Sequence, residues 1–240
     1  MKIDVLTIFP QIFIGPFTES LIGKALRKKI LRIDLVNIRS FSKCKKVDDR
    51  PFGGGAGMII KPEPLYDAIK STGVKRKNGL YKNPYIKPYV VYMSPQGRTL
   101  NNDIIKYLVK FKHLVVICGH YEGIDERIVN YIDEEISIGD YVLTGGEVPA
   151  IVLIDSIARM LPGVIKEISS VQNDSFYNNM LDYPSYTRPA IFRGHKVPKV
   201  LLSGNHEEIN KWRQVEAYKR TRERRPDLLK TKVCRTKNEN

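Results

Sequence analysis

The stretch Leu114-Val115-Val116-Ile117-Cys118-Gly119 decides the fold of this chain. Five apolar residues run without a polar interruption and stop at a glycine. A strand with one wet face would alternate; a continuous run fits a strand covered on both faces, as in a parallel sheet between layers of helices. Working outward, Asn101–Phe111 reads as a helix with Ile104, Ile105, Leu108 and Phe111 as its apolar stripe. Before it, Tyr89–Met93 is a strand ending at Ser94-Pro95-Gln96-Gly97. Nearer the N-terminus, Lys2–Ile8 is a buried strand. Thr18–Ile30 is a helix with Leu21, Ile22, Ala25, Leu26 and Ile30 on one face and Lys24, Arg27 and Lys28 off it. Leu31–Ile38 is a strand in which Ile33 and Leu35 oppose Asp34. A polar loop over residues 40–58 follows, and Pro64–Lys70 starts another helix. On the other side of the decisive strand, Ile124–Tyr131 is a short helix and Glu135–Ser137 leads into a glycine-rich turn. Val148–Leu161 is a helix apolar nearly all round, which predicts burial, with Arg159 on its inner side. The βαβα rhythm predicts an α/β domain with a mostly parallel sheet.

The chain has 240 residues, 42% of them hydrophobic, enough to bury a core without disulfide or metal staples. Its three cysteines, Cys44, Cys118 and Cys234, are odd in number and form no Cys-x-x-Cys pair, which argues against a disulfide framework or a cysteine zinc site and for a reducing compartment. Met1–Phe13 reads as a strand rather than a signal peptide, because Asp4 interrupts the apolar run and no small-residue cleavage site follows. No apolar run is long enough for a membrane span.

Charge is the most informative bulk property. Forty Lys and Arg against 26 Asp and Glu give a net charge of +14. Residues 185–240 carry fifteen basic and six acidic groups, so this quarter of the chain holds more than half of the excess. Such a concentration attracts phosphate backbones by counterion release. The region differs from the rest in other ways. After Pro162-Gly163, the polar segment 166–177 reads as a linker between a domain over 1–165 and a basic helical one over 178–240. In the latter, Asn205 is a helix N-cap with Glu208 placed as the return half of a capping box. Ile209, Trp212 and Val215 mark the apolar face of a long basic helix, and the tail after Leu229 frays.

Several common chemistries lack their motifs. There is no G-x-G-x-x-G, no phosphate-binding G-x-x-x-x-G-K-[ST] loop, no H-E-x-x-H and no G-x-S-x-G. His113, His120, His195 and His206 have no metal-ligand spacing. What stands out instead is three glycine-rich turns at strand ends: Ser94–Gly97, Gly119–Gly123 and Gly139–Glu147. In an open parallel sheet, ligands bind beyond the carboxyl ends of the strands, where glycines let the backbone come close. Each glycine equally suits its own tight turn. The stretch from Asp48 to Met58, with Gly53, Gly54, Gly55 and Gly57, suits either a bound partner or a surface loop. Asp174 suits either a general base or the N-cap of a following helix. Tyr183 and Tyr186 suit base stacking or docking between domains.

Taken together, DDRPFGGGAGM, YMSPQGR, CGHYEGIDER, ISIGDYVLTGGEVPAIVLIDSIARMLPGV, DSF, LDYPSYTRP and VPKVLLSGNHEEINKWR resemble the bacterial tRNA (guanine-N1)-methyltransferase family, TrmD. The blocks run in family order over nearly the whole chain. The resemblance implies a trefoil-knotted α/β domain followed by a small all-helical domain, in a cytoplasmic homodimer whose subunits share the active site. It implies S-adenosyl-L-methionine as cofactor, held by Tyr92, Met93, Ser94, Pro95, Gly119, Tyr121, Glu122, Ile138, Gly139, Tyr141, Leu143, Gly145, Gly146 and Pro149. Mg²⁺ is implied too, at no assignable site. The substrate implied is tRNA, methylated at N1 of the guanosine at position 37, 3′ of the anticodon, with Asp174 as general base and Arg159 as the essential arginine. Candidate RNA contacts are Asp49, Arg50, Asp182, Arg188, Asn205, Lys211 and Arg213. Two positions depart from many members, which have Arg in place of His120 and His in place of Ser185. A knotted methyltransferase acting on ribosomal RNA and a non-catalytic RNA-binding protein are the competing readings. The SGNHEE block, which belongs to the tRNA family, disfavours the former.

Overall fold

The structure, a computed structural model, describes residues 1–74, 85, 87–166 and 174–230. The chain divides into two compact units, Met1–Lys166 and Glu167–Asn240.

The first unit is built on a five-stranded parallel sheet. Its strands are β1 (Lys2–Thr7), β2 (Arg32–Asn37), β5 (Tyr89–Thr99), β6 (His113–Cys118) and β7 (Glu134–Ser137), in the order β2-β1-β6-β5-β7. Strand β6 lies at the centre. Every residue from Leu114 to Cys118 is inaccessible to solvent, because helices cover both faces of the sheet. One layer contains α1 (Ile14–Thr18), α2 (Ser20–Arg27), α4 (Asn102–Leu108) and α5 (Glu147–Met160). The other contains α3 (Pro62–Ser71) and 3₁₀ turns at Ile38–Phe41 and Glu126–Tyr131. The stripe Ile104, Ile105, Leu108 and Phe111 is buried as its spacing predicts. Helix α4 starts where the Asn101 side chain accepts the Ile104 N–H at 3.0 Å, a cap that satisfies one of the first-turn amides.

Four local expectations need correction. The helix expected over Thr18–Ile30 is shorter at both ends, running from Ser20 to Arg27: Thr18 closes the preceding α1, Glu19 is extended and Ser20 takes a left-handed φ of 55°. The end of α1 folds back so tightly that a β-carbon on Gly23 would overlap the Thr18 carbonyl. The loop over residues 40–58 contains a strand, β3 (Asp48–Asp49), which pairs antiparallel with β4 (Ile59–Ile60). Strand β5 does not stop at Met93. Met93 and Arg98 both pair with Ile136 of β7, so Ser94–Gly97 is an outward bulge within a continuing strand. Helix α5 is not buried all round. Ala150, Leu153, Ile154, Ile157 and Ala158 face the core, while Val148 and Val152 are 52% and 41% exposed. Arg159 is half-buried and shares the outward face with those valines by the helical period, rather than sitting on the inner side.

In the second unit, the expected linker 166–177 lies outside the described residues for positions 167–173, as does the tail beyond Lys230. The region is not all helical. A two-stranded ribbon, β8 (Ile191–Phe192) with β9 (His195–Lys196), precedes the long helix α6 (His206–Arg224) and the short α7 (Asp227–Lys230). Asn205 caps α6 by accepting the N–H groups of Glu207 and Glu208 at 3.1 and 3.3 Å. The expected return bond is replaced: the Asn205 N–H donates to the Ser203 hydroxyl at 3.1 Å. The inner face of α6 is Ile209, Ala217 and Thr221, with Trp212 half-buried; Val215, expected inside, is exposed. Thr221 ties the helix to the preceding loop, since its hydroxyl donates to the Ala217 carbonyl and accepts the Leu181 N–H at 2.9 Å.

Candidate ligand pocket and RNA-facing residues

The carboxyl ends of β5, β6 and β7 are neighbours in the sheet, so the segments that leave them meet. The bulge Ser94–Gly97, the loop Gly119–Gly123 and the loop Ile138–Gly146 enclose a cavity of about 320 Å³. Every residue expected to hold the cofactor lines it except Gly139. Gly139 stands behind the wall with φ of 148°; the Ser137 hydroxyl donates to its carbonyl at 3.0 Å and accepts its N–H at 3.2 Å, which fixes the turn that presents Ile138 and Tyr141.

The walls are backbone pressed on backbone. The Gly146 N–H donates to the Gly119 carbonyl at 2.7 Å, and His120 forms a single antiparallel bridge with Gly145. A β-carbon on Gly119 would come within 2.7 Å of the Tyr92 hydroxyl. A side chain at 119 would therefore displace the Tyr92 ring; the glycine serves packing against a neighbouring side chain, where the sequence suggested approach to a ligand or a tight turn. Tyr92 is buried, and burial, with Glu135 and Glu126 adding to it, pushes its phenol up to about 12. It stays neutral at physiological pH, an uncharged wall.

Glu147, the first residue of α5, is 2% exposed and was not among the expected site residues. It accepts the Thr7 hydroxyl at 2.8 Å, and its other oxygen lies 3.7 Å from His120 Nδ1. The Thr7 hydroxyl in turn accepts the Phe9 N–H at 2.9 Å. A carboxylate buried beneath the cavity thus links β1, α5 and the Gly119–Gly123 loop. His120, also missed, lines the cavity, with the rings of Phe9 and Tyr121 edge-on to it at 4.9 Å. The signal that would have found Glu147 is an acidic residue in the first turn of a mostly apolar helix, directly after the glycine-rich loop.

The cavity suits a nucleoside-bearing cofactor. Ile136, Ile138, Leu143 and Pro149 supply apolar walls, and the glycine-flanked loops bring backbone amides and carbonyls close. A second cavity, of about 620 Å³, lies beside the β3–β4 ribbon and includes Asp49, Arg50, Phe52, Lys61, Asp125 and Arg127. Two of its carboxylates are engaged: Asp125 accepts from Arg127 at two positions, both 2.8 Å, and Asp49 accepts the Arg50 N–H at 3.0 Å. Those partners hold both acids below the usual carboxylate range. The Glu122 N–H, in the wall of the first cavity, donates to the carbonyl of Met58, just before β4, at 3.0 Å.

In the second unit, Asp174 opens a turn over residues 175–178, so the N-cap reading finds no helix there. The Ser175 hydroxyl donates to Asp182 at 2.6 Å and accepts the Asp182 N–H at 3.0 Å. Arg213 lies 4.8 Å over the ring of Tyr183, a cation–π contact, and Tyr186 faces Trp212 at 6.4 Å. Both tyrosines therefore pack on α6. Lys211 pairs with Glu207 at 2.7 Å, and the Asn205 side-chain oxygen Oδ1 is taken up by its cap. Arg50 and Arg188 are exposed. Among the described residues, no three His, Cys, Asp or Glu side chains group to hold a metal ion. Among them, too, no helix is long and apolar enough to cross a membrane.

A parallel sheet whose strand ends gather three glycine loops around one cavity, joined to a strongly basic second unit, defines an α/β ligand-binding protein suited to a nucleic-acid substrate. Comparison with known proteins makes this specific. The chain belongs to the tRNA (guanine-1)-methyltransferase family, TrmD, whose model matches residues 1–231. It is 73% identical over 232 residues to the tRNA (guanine-N(1)-)-methyltransferase of Endomicrobium trichonymphae, covering 96% of this chain and all of that protein. It is 52% identical to the enzymes of the same name from Ruminiclostridium cellulolyticum, over 95% of this chain and 96% of that one, and Clostridium novyi, over 96% and 92%.

Proposed function

We propose that this enzyme, a tRNA (guanine-N1)-methyltransferase, acts on the guanosine at position 37, 3′ of the anticodon, with S-adenosyl-L-methionine as methyl donor. The observation that carries the reading is the cavity at the carboxyl ends of β5, β6 and β7 in a chain matched by this family over residues 1–231. The family resemblance adds a trefoil knot in the first unit, a cytoplasmic homodimer with a shared active site, and a catalytic domain over 1–165 joined by a linker to an RNA-binding domain over 178–240. Mg²⁺ has no cluster of ligands among the described residues, and no step here runs through it.

The cofactor's sulfonium would supply an activated methyl group. The protein's part is to bind, to orient and to move a proton. Ile138, Leu143 and Pro149 would take the apolar surface of the cofactor, and the backbone at Gly119, Tyr121 and Gly145 its polar edge. Guanine N1 bears a proton and is a poor nucleophile until it leaves. Asp174 would accept that proton as general base, an effect of about 10²–10⁴-fold. Arg159 would stabilise the negative charge that grows on guanine O6. The exposed cations of the basic unit would hold phosphates.

The test is incubation with labelled S-adenosylmethionine and tRNA transcripts that differ only at position 37, followed by mapping of the methylated atom. Methyl on N1 of that guanosine is expected, and methyl on another base or atom overturns the reading. Asp174→Asn should keep cofactor and tRNA affinity while single-turnover rate falls by at least about 10²-fold. Undiminished turnover would remove Asp174 from the chemistry.

A further inference from the structure

All four strand residues of the ribbon β8–β9 are exposed. Alternate residues of a strand point to opposite sides, and here both sides are exposed: Ile191 is 58% and Phe192 62% accessible, with His195 and Lys196 opposite them. A free-standing two-stranded ribbon is marginal in water, and two bulky apolar side chains make it more so. Its turn is the tight two-residue kind, with positive φ at Arg193 (47°) and Gly194 (84°). Asn or Gly takes the first position of such a turn most easily, so an arginine stands at the tip against backbone preference. Its guanidinium lies 5.5 Å over the Phe192 ring. Between Asp182 and Glu207 the chain has no acidic residue, while Arg188, Arg193, Lys196 and Lys199 are basic. An exposed aromatic with an arginine over its ring, in a segment that carries cations and no carboxylate, is the chemistry that takes a phosphate backbone and stacks an unpaired base.

We infer that the ribbon Ala190–Val197 is an RNA-docking finger: Arg193 and Lys196 contact phosphates of the substrate tRNA, and Phe192 stacks on an unpaired base. This deepens the proposed function and rests on tRNA being the substrate. None of these three residues was among the RNA contacts expected from the sequence.

The test uses the full-length protein and an unmodified tRNA transcript, with affinity measured from about 50 to 300 mM salt. Arg193→Gln/Lys196→Gln should weaken binding roughly tenfold and reduce the slope of log K against log salt by about one to two. Phe192→Ala should weaken binding roughly tenfold with the slope unchanged, since stacking releases no counterions. Lys110→Gln/Lys112→Gln, an equal charge change on exposed lysines of the first unit, should leave the slope within experimental error. The ribbon carries no core side chain, so all variants should melt within a few degrees of the parent. Unchanged slope and affinity in the ribbon variants would overturn the inference. So would an equal loss in the lysine control, which would make net charge the cause, or altered sedimentation of the ribbon variants without RNA, which would make the finger a contact between copies. Absence of N1 methylation by the parent would instead strike at the proposed function, with the ribbon's RNA affinity still measured independently.

Discussion

A β-carbon added at Gly146 would stand 2.8 Å from both the Cys118 Cα and the Gly119 nitrogen. Both are backbone, so the loop itself must move, and with it the 2.7 Å bond from Gly146 N–H to the Gly119 carbonyl. Gly146→Ala should weaken S-adenosylmethionine binding more than tenfold by calorimetry; retained affinity would show that this wall is not a cofactor wall. Glu147 tests the layer beneath. Its carboxylate is the acceptor for the buried Thr7 hydroxyl. Glu147→Gln keeps an acceptor oxygen there, whereas Glu147→Ala leaves the hydroxyl unsatisfied and a cavity beside it. Denaturant unfolding should show a loss of roughly 1–3 kcal/mol or more for the alanine variant and distinctly less for glutamine. Equal losses would mean that the negative charge, facing His120 at 3.7 Å, matters more than the hydrogen bond. Cys118, behind the same wall, has its thiol pushed up by burial and by Glu147, and so has no reason to react.

Among the elements, β1 carries the clearest link to pH. Asp4 is 2% exposed in the middle of the sheet, where burial alone would raise its pKa. Hydrogen bonds from His113 at 2.7 Å and Lys2 at 2.8 Å outweigh that, so the folded carboxyl lies below its ordinary value. A depressed acid stabilises the fold above its unfolded pKa, near 3.9, and loses that contribution as pH falls through the folded value. Urea unfolding should therefore show stability falling below about pH 4, with Asp4→Asn less stable at neutral pH and flatter on the acid side. An identical acid limb in both proteins would assign it to other carboxylates. The run Leu114–Cys118 and the stripe of α4 were legible in the sequence because local pattern and tertiary burial demand the same residues. The three glycine turns were legible as a group because they follow consecutive strands of one sheet edge. What escaped was decided by distant partners. The bulge in β5 depends on Ile136 pairing twice, and the break at Ser20 on how α1 folds back over Gly23. The ribbon β8–β9 has one strand of Ile and Phe and one of His and Lys, too short for any period to show.

At the scale of the whole molecule, the outward face of α5 is where sequence and structure pull in different directions. An apolar helix should be buried, yet Val148 and Val152 are exposed, and the turn Pro10–Phe13, which packs against α5, leaves Ile12 44% accessible. On the dimeric reading proposed above, these exposed apolar side chains would belong to the contact between two copies. Arg159 lies on that same face of α5, so an interface there would bring the arginine proposed to act at guanine O6 to the boundary between two copies, as the proposed shared active site requires. Stable interfaces bury about 800 Å² per partner, more than these side chains alone supply, so the surface must extend to the polar residues around them. In a C₂ contact each substitution enters the interface twice, which makes such a surface sensitive to charge. Val148→Asp/Val152→Asp should sediment as a monomer at concentrations where the parent is a dimer. The far-ultraviolet spectrum should be retained, because neither valine belongs to the core of the fold, and methylation should fall with the dimer. A parent that sediments as a monomer, or a variant that stays dimeric, would leave this face without the role proposed for it.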